Sequence, residues 1–168
     1  DEFFLEAEKL GHPLIDNKNR VCNSYQVKGS GQFTILTGAN MAGKSTFLRK
    51  VGINIVLASN GAPVCAEKMK ISPIEIVTSI HTADSLANNE SYFYAELKRL
   101  KLIIDMLKEG KHIFIILDEI LKGTNSNDKQ SGSKALVEQL ISLNASGIIA
   151  THDLSLGVLQ DRFPENVD

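Results

Sequence analysis

Cysteine is scarce in this sequence: Cys22 and Cys65 are the two among 168 residues. They form neither a metal-ligand cluster nor a disulfide framework, and such usage points to a reducing compartment. Charge of one sign is scarce as well. Eighteen Lys and Arg stand against 20 Asp and Glu, a formal net charge of −2. A domain that grips nucleic acid by its phosphates carries a basic excess, and none is present. No apolar run approaches the roughly 20 residues needed to cross a bilayer, and no targeting pattern opens the chain. A cytoplasmic location is the expectation. Internal repeats and low-complexity tracts are also missing, which excludes repeat arrays and linkers. What is present is 43% hydrophobic content, enough at this length for one globular domain with a core. The chain opens and closes on charged, unmarked stretches, so it reads as a segment of a longer polypeptide.

Periodicity places the elements. Residues 23–27 and 32–37 read as extended, and Gly29-Ser30-Gly31 between them predicts a hairpin. Residues 44–59 read as a helix on Leu48, Val51, Ile55 and Ala58, ended by Gly61. Residues 63–66 and 74–79 are short extended candidates. A long helix is expected over 91–109, capped by Asn88 or Asn89 and closed by Gly110, with Phe93, Leu97, Leu100, Ile104 and Leu107 on one stripe. The continuous apolar run 113–117 suits a parallel strand covered on both faces. Residues 131–143 return to helical spacing, 147–150 form another buried strand, and a short helix follows from Ser155. Strands alternating with helices predict an α/β fold, a largely parallel sheet flanked by helices, with a small N-terminal antiparallel hairpin.

Two stretches carry chemistry. Gly38, Gly43, Lys44 and Ser45 have the spacing G-x-x-x-x-G-K-[ST], between a predicted strand and a predicted helix. At average residue usage that match arises by chance in roughly one window per several tens of thousands. Glycines let backbone N–H groups converge on a phosphate, and the helix N-terminus adds partial positive charge. Lys44 is the residue expected to reach the β- and γ-phosphates of a nucleoside triphosphate, and Ser45 to hold Mg²⁺. The second stretch is the apolar run that ends in Asp118 and Glu119. Ligands of open parallel sheets bind at the carboxyl ends of strands. Asp118 is then placed to orient Mg²⁺ through its water shell, and Glu119 to act as the base on the attacking water, a role worth about 10²–10⁴-fold. His152 follows the strand 147–150 and reaches the same rim, where it suits a γ-phosphate contact. The spacing of His12, His81 and His112 supports no metal site.

Several stretches, in order along nearly the whole chain, resemble the MutS mismatch-repair family. Gly38-Ala39-Asn40-Met41-Ala42-Gly43-Lys44-Ser45-Thr46 resembles its G-P-N-M-G-G-K-S-T loop. Ser91-Tyr92-Phe93-Tyr94-Ala95-Glu96-Leu97 is similar to its S-T-F-M-x-E-M signature. The segment from Asp118-Glu119-Ile120-Leu121-Lys122 to Asp128 resembles D-E-[IL]-G-R-G-T-S-[TS]-x-D. Ala150-Thr151-His152 matches A-T-H, and His12-Pro13-Leu14-Ile15 resembles the H-P-[LV]-[IVL] that opens the family's ATPase domain. The resemblance implies a P-loop ATPase of the ABC type, with ATP bound between two subunits of a homodimer. One subunit contributes the loop from Gly38 to Thr46, with Asp118, Glu119 and His152. The other contributes Ser91, and Asn125 and Ser126 lie on the loop that crosses the interface. Asn40 helps position the attacking water. A serine at a helix start suits phosphate on its own account.

The resemblance further implies a DNA-linked conformational switch whose DNA-binding parts lie outside this chain. Residues 1–30 are expected to form an N-terminal β subdomain and 31–168 a core lacking the family's C-terminal strands and dimer element. Such a piece is expected to be monomeric and a weak ATPase alone. Ala39, Ala42, Leu121, Lys122, Tyr92 and Tyr94 depart from the family pattern, which leaves open a divergent MutS-like ATPase outside mismatch repair. A transporter-type ABC subunit needs an L-S-G-G-Q signature, and residues 90–112 contain no Gly-Gly pair. A nucleotide-sensing dimerisation module has no need of the base at Glu119. The adenine pocket is placed near Val21 and Cys22 by position alone.

Overall fold

Every residue of two apolar segments, Ile113–Asp118 and Ser146–Thr151, is buried, and the rest of the fold is arranged to cover them. The computed structural model describes residues 3–38, 43–80, 92–121 and 126–168, with only the backbone of Tyr92, Ser126 and Asn127. In chain order the elements are β1 (Phe4–Leu10), β2 (Asn23–Lys28), β3 (Phe33–Thr37), α1 (Lys44–Ser59), β4 (Lys68–Ile71), β5 (Glu75–Ser79), α2 (Tyr92–Lys108), β6 (Ile113–Asp118), α3 (Ser126–Ser142), β7 (Ser146–Thr151) and α4 (Val158–Arg162), the last after a 3-10 turn at Leu154–Gly157.

The fold is mixed α/β with two sheets. Four parallel strands run in the order β3-β7-β6-β5, and three antiparallel strands in the order β2-β1-β4. Side chains alternate across β6. Phe114 and Ile116 pack with Leu48, Val51 and Ile55 of α1 and with Leu5, Ala7 and Val27 of the antiparallel sheet. Ile113, Ile115 and Leu117 face the other way, onto Leu100 and Ile103 of α2 and Val137 and Leu140 of α3. Cover on both faces is the physical reason for a continuous apolar run rather than an alternating one. Close approach of the central strands requires a glycine: a Cβ on Gly147 would lie 2.2 Å from the Ile115 carbonyl oxygen.

The predicted hairpin between 23–27 and 32–37 does not form. β2 pairs antiparallel with β1, whereas β3 joins the parallel sheet beside β7. Gly29 (φ +86°) and Gly31 (φ +79°) carry the chain from one sheet to the other, because backbone of that sign suits glycine. The antiparallel sheet is not confined to residues 1–30 either, since β4 returns to pair with β1. Residues 63–66 are not a strand; that strand comes at Lys68–Ile71. β1 has no counterpart in the sequence reading. At the far edge, Val167 bridges in parallel to Phe33, and Ile35 donates to the Asp168 carbonyl at 2.8 Å, so the chain's last residues pair along β3. Among the described residues no helix is long and apolar enough to cross a membrane.

Candidate functional site

Register decides what meets at the rim of the parallel sheet. Thr37 of β3 lies opposite Thr151 of β7, and Asp118 of β6 opposite Ala150. The residues that leave these strands next, Gly38, His152 and Glu119, therefore emerge side by side. A backbone bond from Glu119 N–H to the Ala150 carbonyl, 2.8 Å, extends the pairing one residue past β6. His152 Nε2 meets Glu119 Oε1 at hydrogen-bonding distance. Its Nδ1 lies 2.9 Å from the Gly38 carbonyl oxygen and 3.2 Å from Lys44 Nζ. Lys44 Nζ donates to the same Gly38 carbonyl. With its proton on Nε2 the imidazole donates to Glu119 and accepts from Lys44; with a proton on Nδ1 it donates to Gly38. Lys44 and His152 thus converge on one carbonyl, and Glu119 joins them through His152.

Asp118 closes β6 and is 8% exposed. Ser45 is half-buried in the first turn of α1, and Thr46 is exposed. No group of three or more His, Cys, Asp or Glu side chains forms a metal cluster among the described residues. Ser45 and Asp118 are oxygen donors of the kind Mg²⁺ takes, which uses one or two from protein and keeps waters and phosphate oxygens for the rest. The start of α1 suits an anion. Its N-cap is Gly43 (φ +84°), which has no side chain to cap the first turn, and that turn holds no acidic residue. N–H groups at a helix start point out of its N-terminus, where a phosphate can accept from them. Ala39, Asn40, Met41 and Ala42 of the loop, together with Ser91 and Asn125, lie outside the described residues; Ser126 is the first residue of α3.

A cleft of about 530 Å³ opens beside the start of α1, within the usual range for small-ligand sites. His12, Ile15, Val21, Asn23, Phe47 and Lys50 are among its walls, with Gly43, Lys44 and Thr46 at one end. Buried Asn54 of α1 holds this wall in place. Its amide donates to the Gly11 carbonyl at 3.0 Å and accepts from Cys65 N–H at 2.6 Å. Arg20 grips the Ile15 carbonyl through two nitrogens. Val21 lines the cleft, whereas Cys22 is exposed and outside the lining.

Lys50, Asn23 and Phe47 are cleft residues that the sequence reading missed. Lys50 is 3% exposed, donates to the Asn23 side-chain oxygen and sits 4.8 Å from the Phe47 ring centre. Burial lowers its pKa from the ordinary lysine value. One signal was available: a lysine on the α1 stripe next to Val51, where a helix face turned to the core carries apolar residues.

Residues 34–167 match the family model described as MutS domain V. The chain is 36% identical over 157 residues to the DNA mismatch repair protein MutS of Thermotoga neapolitana, a match covering 92% of this chain and 19% of that protein. It is 34% identical over 170 residues to the DNA mismatch repair protein MutS of Ehrlichia chaffeensis, covering 99% of this chain and 21% of the relative. The mitochondrial DNA mismatch repair protein mutS homolog of Sarcophyton glaucum is 32% identical over 152 residues, 89% of this chain and 15% of its own. The chain spans about a fifth of the length of the curated relatives it matches. With a family model matched from β3 to the last residues, this chain belongs to the MutS family through its domain V.

Proposed function

We propose that this chain binds ATP with Mg²⁺ and hydrolyses it, as the P-loop, ABC-type ATPase domain of a MutS-type protein. The observation that carries the reading is the chain of contacts from Glu119 through His152 to Lys44 and the Gly38 carbonyl, with Lys44 also lining a cleft of about 530 Å³. Lys44 and the first turn of α1 hold the β- and γ-phosphates. Ser45 and Asp118 would be the residues that hold Mg²⁺, which would supply charge compensation at the phosphates. Glu119 takes the proton of the attacking water. His152 keeps the Glu119 carboxylate on the rim and stands within reach of the γ-phosphate. The base lies in the cleft against Val21, Ile15 and Phe47.

The relatives' names support a place in DNA mismatch repair, with DNA bound by parts of the protein outside these residues. In this reading the site is completed across a homodimer by Ser91, Asn125 and Ser126 of the second subunit, and these residues alone are monomeric and weakly active. The direct test is equilibrium binding of a non-hydrolysable ATP analogue with Mg²⁺. Lys44→Ala should weaken it by about 30-fold or more, since a charge-assisted phosphate contact is lost. Equal affinity in the two proteins would mean that the loop is not a phosphate site.

A further inference from the structure

Glu96 lies on α2 and is 6% exposed. Its Oε1 accepts the Leu121 N–H at 2.7 Å, a buried hydrogen bond between elements 25 residues apart. Its Oε2 is buried and has no hydrogen-bond partner among the described residues. A buried carboxyl oxygen left unpaired is costly, so the bond that the Glu96 Oε1 makes calls for a purpose. Leu121 comes two residues after Glu119, and both hold left-handed backbone, φ +58° and +51°. L side chains rarely adopt that region, so the turn 119–121 persists only because its surroundings hold it. Leu121 is held on two sides. Glu96 grips its N–H. Its side chain, 8% exposed, rests on the bare backbone of Gly132 in α3, where an added Cβ would lie 2.8 Å from Leu121 Cδ1. Ile120 between them is buried in the same core. The far end of this turn is the carboxylate that meets His152.

We propose that Glu96 is a positioning residue: with Gly132 it clamps the turn 119–121 in the geometry that aims Glu119 at His152. The clamp ties the aim of Glu119 to the seating of α2, the helix that follows directly after Ser91. This inference rests on the ATPase reading for its kinetic consequence, but not for its structural one.

The test uses the full-length protein with ¹³C-labelled histidine rings, His152 being assigned by its loss in His152→Gln. In Glu96→Ala the His152 ring resonances at fixed pH should move toward those of Glu119→Gln. Glu96→Gln keeps an oxygen for the Leu121 N–H, so its spectrum should overlay with wild type. Gly132→Ala pushes the same leucine from the other side and should move the resonances as Glu96→Ala does, which decides the matter if Glu96→Ala fails to fold. In single turnovers, Glu96→Ala should hydrolyse ATP about tenfold or more slowly while binding a non-hydrolysable analogue within about threefold of wild type, with Glu96→Gln near wild type in both. His152 resonances unmoved in both Glu96→Ala and Gly132→Ala would overturn the clamp. A wild type without ATPase activity would overturn the functional reading instead, and the resonances would still decide the clamp.

Discussion

Single residues in this protein take their meaning from two different distances. Gly38, Gly43, Lys44 and Ser45 stand out in the sequence because the proposed phosphate loop is built from consecutive backbone, and spacing along the chain is its geometry. Asp118 and Glu119 are legible for a similar reason, as polar residues ending an apolar strand. Lys50 and Asn23 are not, because 27 residues separate them and only folding joins them. Glu96 is legible as part of a motif but not as a partner of Leu121. Leu121 stands where the resembled motif has glycine, and its positive φ is the physical reason glycine suits that place.

Lys50 gives a residue-scale prediction. A buried ammonium is stabilised less than one in water, so Lys50→Met should leave unfolding free energy unchanged or raise it, by about 0–2 kcal/mol in urea titrations at pH 7. The sign of the pH dependence follows from the lowered pKa. Below the folded pKa both states are charged and the burial penalty is present in full. As pH rises from the folded value toward the ordinary 10.5, the folded state sheds its proton first, and wild type gains stability relative to Lys50→Met. A difference between the two proteins that widens in favour of Lys50→Met over that range would contradict the burial of the ammonium.

Elements were legible where periodicity was unbroken. α1 runs from Lys44 to Ser59 as its spacing predicts, and β5 to β7 coincide with the apolar runs to within one or two residues. α3 begins at Ser126, five residues before the first residue assigned to it from spacing, because its first turns, Ser126 to Gln130, are polar and leave no apolar stripe to read. The hairpin was misread for a different reason. A short glycine link says that the chain turns, not that its two flanks pair, and here the turn passes between sheets. Strand packing supplies the prediction at this scale. Gly147→Ala puts a Cβ against the backbone of β6, where no side chain can move aside. It should cost at least about 2 kcal/mol in equilibrium unfolding, the upper part of the range for overpacking. A loss below about 0.5 kcal/mol, within the scatter of surface changes, would show that β6 and β7 are not packed as described.

At the scale of the molecule, three layers hold one rim. The antiparallel sheet with α1 covers one face of the parallel sheet, α2 and α3 cover the other, and strand register brings Gly38, Glu119 and His152 to a single edge. If Ser91 completes the site from a second subunit, two inactive full-length proteins should restore each other. In a mixed dimer of Lys44→Ala and Ser91→Ala, one site collects both defects and the other collects none. ATPase rate against mixing ratio should peak near equal amounts; a flat response, with subunit exchange verified by mass, would assign Ser91 to its own subunit or to no site. The central claim is narrower, that Glu119 performs the hydrolytic step at a site built on Lys44. It is tested by single-turnover hydrolysis of Mg²⁺–ATP by full-length wild type and Glu119→Gln, with analogue binding measured in parallel. The account predicts binding within about threefold and a rate lower by about 10²-fold or more, since a positioned base acts chiefly in the transition state. Equal rates in the two proteins would contradict it.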